Sequence, residues 1–138
     1  MILVDTGFLV SAFEPREKHH LAAVAWLSRH NSTLITLEAV LSECCFFLRG
    51  KARQQLLRAV SQGALAVHHP DSQAHSRIAS LAEKYHDEDA AYANYADLAL
   101  IWLAEKTGHA RILTLDRQDF SVYRILGRKR FKLLEWTA

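Results

Sequence analysis

The sequence predicts an α/β fold: a mostly parallel sheet of about five strands with helices on both faces, a three-layer α/β/α sandwich. Three observations predict it. Short apolar runs alternate along the chain with stretches of helical spacing, the order of parallel strands joined by crossover helices. The first run, Ile2-Leu3-Val4, is continuously apolar, as a strand buried on both faces is. One stretch, containing Leu98, Leu100, Ile101, Trp102 and Leu103, is apolar nearly all round, so its helix is buried.

The elements follow in order. Asp5-Thr6-Gly7 breaks the first strand, and Asp5 or Thr6 is placed to cap a short helix over 8–13. Leu21, Val24, Ala25 and Leu27 recur at helical spacing within 17–30. A second strand falls at 33–36 and is followed by helices over 38–48 and 51–62. Gly63 ends the latter, and Leu65-Ala66-Val67 makes a third strand. Residues 72–85 read as helix until the acidic Asp87-Glu88-Asp89, whose side chains read as solvated. The buried helix spans 93–107 and is closed by Gly108. A fourth strand covers 111–115, Asp116-Arg117-Gln118-Asp119-Phe120 follows it, and a last short strand lies near 131–134.

The 138 residues fit one domain, 1–138, with no linker, repeat or low-complexity tract to divide them. Half of the residues are hydrophobic and 23% are charged, which allows a core and excludes a disordered chain. The only cysteines, Cys44 and Cys45, are neighbours, which suits buried thiols in a reducing compartment rather than a disulfide scaffold. No run approaches the ~18 apolar residues of a membrane span. Asp5 also interrupts the N-terminal run before signal-peptide length, so a cytoplasmic protein is expected. Residues 1–107 hold ten Lys/Arg against twelve Asp/Glu, whereas 108–138 hold seven against three. The basic end, with Arg124, Arg128, Lys129, Arg130 and Lys132, fits a phosphate backbone or a solvated surface.

Four acids stand where a core prefers apolar or neutral groups. Asp5 follows the first strand; Asp116 follows the fourth, with Asp119 one turn later. Glu43 lies on the helix after the second strand, and Asp97 near the start of the buried helix. No Lys or Arg lies between Lys84 and Lys106, so Asp97 has no local ion pair, and a buried carboxylate without one is costly. Taken singly, each has an ordinary explanation: a helix cap for Asp5, a favourable helix dipole for Asp97, a turn for Asp116 and Asp119, half-exposure for Glu43. Taken together, they can converge at one crevice beyond the strand ends, where open parallel sheets bind ligands. Such a set of hard oxygen donors suits Mg²⁺ or Mn²⁺. Zinc fits less well, because His19-His20 and His68-His69 are adjacent pairs without the i, i+4 spacing of helical ligands.

Four segments stand in order at a familiar spacing: Met1-Ile2-Leu3-Val4-Asp5-Thr6-Gly7, Leu41-Ser42-Glu43, Tyr95-Ala96-Asp97-Leu98-Ala99-Leu100, and Ile112-Leu113-Thr114-Leu115-Asp116-Arg117-Gln118-Asp119-Phe120. Over nearly its whole length the chain resembles the PIN-domain nucleases, specifically the VapC-like toxins of toxin–antitoxin pairs. Carried over by position, the resemblance implies a core triad of Asp5, Glu43 and Asp97. Asp116 is then a fourth acid, Asp119 a weaker helper at the metal, and Thr114 a nearby polar residue. It also implies a PIN-like sandwich, Mg²⁺ or Mn²⁺ as cofactor, and hydrolysis of RNA by metal-activated water. Frequent homodimers and a small antitoxin that blocks the site complete the implication. Two departures stand out: many relatives have Ser or Asn where this chain has Gly7, and Tyr92-Ala93-Asn94-Tyr95 is a bulky lead-in to an active site.

Other readings compete. A haloacid-dehalogenase-like phosphatase also begins with a strand-end Asp, but typically needs a second Asp two residues on, where Gly7 stands. A receiver domain wants an earlier acidic pair and a late Lys after a strand, and neither is evident. The non-enzymatic alternative is a weak or inactive PIN-like domain that binds RNA or a protein partner.

Overall fold

A computed structural model describes residues 1–87 and 91–138. Glu88 and Asp89, read above as solvated, lie outside the described residues. The elements run β1 (Ile2–Val4), α1 (Thr6–Phe13), α2 (His20–Arg29), β2 (Leu34–Leu37), α3 (Glu38–Phe47), α4 (Gly50–Ser61) and β3 (Leu65–His68). They continue with α5 (Ala74–Lys84), β4 (His86–Asp87), β5 (Ala91–Tyr92), α6 (Tyr95–Thr107) and β6 (Arg111–Leu113). The chain ends with α7 (Arg117–Val122), β7 (Arg124–Ile125), β8 (Lys129–Arg130) and β9 (Lys132–Leu133).

β1, β2, β3, β6 and β9 form the predicted parallel sheet, in the order β3-β2-β1-β6-β9, within a three-layer α/β/α sandwich. The chain lays down β1, β2 and β3 outward, then returns to place β6 and β9 on the other side of β1. The strand order therefore reverses between β1 and β6, and the crevice beyond their carboxyl ends is the place for a ligand. β1 and β2 are wholly buried, which explains their unbroken apolar sequence.

The apolar α6 is indeed central: every residue from Ala96 to Ala104 is buried. Each Leu or Ile so buried contributes about 1.5–3 kcal/mol. The helix ends at Gly108, whose φ of 75° suits glycine and lets its N–H reach the Ala104 carbonyl. Behind β1, Phe8 meets Trp26 and Trp136 edge to face at 5.9 and 4.8 Å. Around α7, Phe120 touches Tyr123 and Phe131 in the same way.

Two expectations about helix faces are corrected. The helix expected over 17–30 starts only at His20 and is turned: Ala23 and Trp26 are buried while Leu21 is 82% exposed. Trp26 carries more apolar area than Leu21 and Val24, and its contact with Phe8 sets the rotation. In α3, Val40 and Cys44 face the core at i, i+4, so Phe46 and Phe47 are exposed and Cys45 is only half-buried. The two antiparallel ladders, β4–β5 and β7–β8, were not predicted, because strands of two residues carry no periodicity.

Candidate metal centre

Asp5, one step past β1, caps α1. The Thr6 N–H donates to its Oδ1 at 2.7 Å, and the Thr114 hydroxyl donates to its Oδ2 at 3.0 Å. Asp97 stands in the first turn of α6, which Asn94 caps by accepting the Asp97 N–H at 2.9 Å. The positive end of that helix favours a carboxylate. Asp116 follows β6, and its N–H donates to the Thr114 hydroxyl at 3.0 Å. Thr114 thus links the loops after β1 and β6 across the switch point. One carboxylate oxygen from each of Asp5, Asp97 and Asp116 lies within 4.8 Å of the others.

The remaining acids stand further out. Glu43, half-buried on α3, accepts the Thr6 hydroxyl at 2.8 Å and so touches the residue that holds Asp5 rather than joining the three. Asp119 is exposed on α7, and its charge acts on Asp97 and Asp116 from the rim. One residue escaped the sequence reading altogether: Tyr123, fully buried, donates its hydroxyl to Asp97 Oδ2 at 2.7 Å. Nothing in Val122-Tyr123-Arg124 marks it, since the contact depends on how α7 folds back.

The electrostatics describe a site short of positive charge. Burial, reinforced by Asp116 and Glu43, raises Asp5 from 3.8 to about 6 despite the Thr6 and Thr114 hydrogen bonds. Burial, with Asp5, Asp116 and Asp119 adding to it, raises Asp97 to about 7 against the Tyr123 hydrogen bond. Asp116, exposed rather than core-like, is raised too, by partial desolvation and then by Asp119 and Glu43. Among the described residues, no Lys, Arg or His forms an ion pair with any of the three.

A divalent cation fits this donor set: carboxylate oxygens converge on one point, and a cation would relieve their repulsion. Among the described residues, no Cys or His joins the three carboxylates. Burial pushes the Cys44 thiol up to about 12, so it stays protonated. His20 is engaged with the Ser11 carbonyl at 2.8 Å, and His30 stacks on Trp26.

Of the basic C-terminal residues, Lys129 and Lys132 lie away from the carboxylates. Lys129 lies with Ala104, Gly108 and His109 at the end of α6, whereas Asp97 lies at its start. Lys132 pairs in register with Arg111 at the opening of β6, the other end of the sheet from Asp116. Arg124 is tied back to the carbonyls of Ser121, Val122 and Tyr123.

Known proteins resemble this chain in sequence and in fold. Ribonuclease VapC26 of Mycobacterium tuberculosis is 26% identical over 137 residues, covering 96% of this chain and 99% of that one. Among solved structures, Mycobacterium tuberculosis VapC20, described as a sarcin–ricin-loop-cleaving toxin, superposes with a TM-score of 0.65 at 17% identity, covering 81% of this chain and 87% of that one. A toxin–antitoxin complex from Klebsiella pneumoniae does so with a TM-score of 0.62 at 16% identity, over 88% of this chain and 92% of that one. These two show a shared fold. The family profile described as PIN domain matches residues 2–126. With that match spanning most of its length, the chain belongs to the PIN domain family.

Proposed function

We propose that the chain, as one PIN domain over 1–138, is a Mg²⁺- or Mn²⁺-dependent endoribonuclease and the toxin of a toxin–antitoxin pair in the cytoplasm. The observation that carries this reading is the convergence of Asp5, Asp97 and Asp116 at the strand-order reversal, with no ion pair to any of them among the described residues. The names of its relatives, a ribonuclease and a toxin–antitoxin complex, support it.

Asp5, Asp97 and Asp116 would hold the ion, with Glu43 and Asp119 adding charge from the second rank. A bound divalent ion supplies Lewis acidity, generating hydroxide from water near neutral pH and stabilising charge on phosphate oxygens. The chain itself supplies position. Thr6 and Thr114 fix both oxygens of Asp5, and Tyr123 fixes one oxygen of Asp97. Glu43 acts through Thr6, and no side-chain nucleophile is required. The exposed Leu21, Phe46 and Phe47 leave apolar surface for a protein partner, the antitoxin or a second copy in a homodimer.

The test is incubation of partner-free protein with structured and unstructured RNA, with Mg²⁺, Mn²⁺ or EDTA, beside Asp97→Asn. Cutting that requires metal and vanishes in the variant is the expected result. Equal cutting by wild type and variant would refute the assignment, and an inert wild type would leave the binding-only domain.

A further inference from the structure

On the carboxyl-end side of the sheet, which also carries the carboxylates, a cavity of about 300 Å³ opens between the end of β2, α3, the β3–α5 connection and α6. Two of its wall residues are close in sequence to the acids: Ser42 precedes Glu43, and Tyr95 opens the helical turn that holds Asp97. Leu37 and Ala99 give it an apolar floor, while Glu38, His69, His75 and Tyr95 give it polar and aromatic edges.

Tyr95 is the unusual member. It is 45% exposed at the start of a helix whose residues Ala96 to Ala104 are all buried. It is nevertheless held in place: the His75 ring lies nearly parallel to it, at 10°, and His75 Nε2 is 2.7 Å from the phenolic oxygen. His75 is anchored in turn by Nδ1 at 2.7 Å from the Asp71 carbonyl. An exposed ring held by two hydrogen bonds in series is a preorganised surface for stacking. Glu38, paired with His69, brings a carboxylate acceptor into the same cavity. None of the described residues lining it is Lys or Arg, so a phosphate is not what it is built to hold.

An aromatic face with a carboxylate acceptor is the chemistry that reads the amino edge of an unpaired base. We propose that this cavity is a base pocket: one unpaired base of the bound RNA stacks on Tyr95 and donates an amino hydrogen to Glu38. The proposal rests on the ribonuclease reading and adds the residues that choose where the RNA is cut.

Binding and cutting separate the two readings. Binding is measured by fluorescence anisotropy in Mg²⁺, using Asp97→Asn and short single-stranded RNAs in which an abasic site is walked along the strand. At one position the abasic site is expected to weaken binding about tenfold, the size of one base–aromatic stack. In Asp97→Asn/Tyr95→Ala that position is expected to lose its importance. In Asp97→Asn/Glu38→Gln, the preference there for bases with an amino group over uracil is expected to vanish while stacking persists. Thermal melts establish that each variant is folded.

If no position matters, or if Tyr95→Ala and base removal weaken binding by independent factors, the pocket reading is overturned. Displacement of the RNA by free nucleosides at comparable concentration would make it a mononucleotide site and overturn it as well. Base-selective binding without any cutting by the wild type would uphold the pocket and refute the nuclease. Metal-dependent cutting indifferent to the base would do the reverse.

Discussion

The Tyr123 hydroxyl donates to Oδ2 of Asp97 at 2.7 Å, and both side chains are buried. The sequence shows Asp97 far from any Lys or Arg, and the fold answers with a neutral donor rather than a counter-charge. A phenol lowers the cost of a buried carboxylate without competing for the position a cation would take.

Tyr123→Phe should therefore affect both stability and metal binding. Losing the donor leaves a buried acceptor unsatisfied, at about 1–3 kcal/mol. The Asp97 carboxyl would rise further, so that protons compete better against metal. A lower melting temperature and several-fold weaker Mn²⁺ binding by titration calorimetry are expected. Unchanged Mn²⁺ affinity would show that the hydroxyl does not position Asp97.

The raised carboxyls also set a pH dependence. Asp5 at about 6 and Asp97 at about 7 hold protons more tightly than the unfolded chain does at 3.8. Their stabilising contribution is complete below pH 3.8 and lost as pH rises through 6 and 7. Metal-free protein in EDTA should thus melt at lower temperature at pH 8 than at pH 5, and Mg²⁺ should offset the loss at the higher pH. A metal-free protein that melts no lower at pH 8 than at pH 5 would place these carboxyls in their ordinary range.

Asp97→Asn isolates the cost of that charge. Asparagine keeps an acceptor for Tyr123 and removes the buried negative charge beside Asp5 and Asp116. In EDTA at pH 8 the variant is expected to be more stable than wild type, on the order of 1–3 kcal/mol. Stabilisation by Mg²⁺ should disappear along with RNA cleavage. A variant destabilised in EDTA would mean that Asp97 serves the fold rather than a metal.

Much of this site was legible in the sequence because strand ends are easy to read. Asp5 and Asp116 directly follow apolar runs, and a parallel sheet brings the ends of its central strands together. Asp97 was legible as a charge in an apolar helix. Glu43 was legible as an acid on the helix after the second strand, but its hydrogen bond to the Thr6 hydroxyl was not, since that contact has no sequence signature. Tyr123 and the rotation of α2 depend on which aromatic side chain wins a place in the core. Spacing alone cannot rank Trp26 against Leu21, and three-dimensional packing does.

Gly7 is required by space rather than by backbone conformation. Its φ is not among the positive values, yet a β-carbon there would lie 2.9 Å from Leu115 Cδ1 and 3.1 Å from Leu115 Cβ and Cγ. Two effects oppose each other in Gly7→Ala. Alanine gains up to about 1 kcal/mol over glycine inside a helix. The contact with Leu115 costs more, because Cβ, Cγ and Cδ1 crowd the new atom together, and no small shift clears all three. The single variant is therefore expected to melt at lower temperature. Leu115→Ala removes Cγ and Cδ1 and leaves only the Cβ contact, which a shift of a few tenths of an ångström relieves. In that background Gly7→Ala should stabilise, giving a coupling of about 1–2 kcal/mol in a double-mutant cycle. Additive effects would mean that Leu115 is not what holds position 7 to glycine.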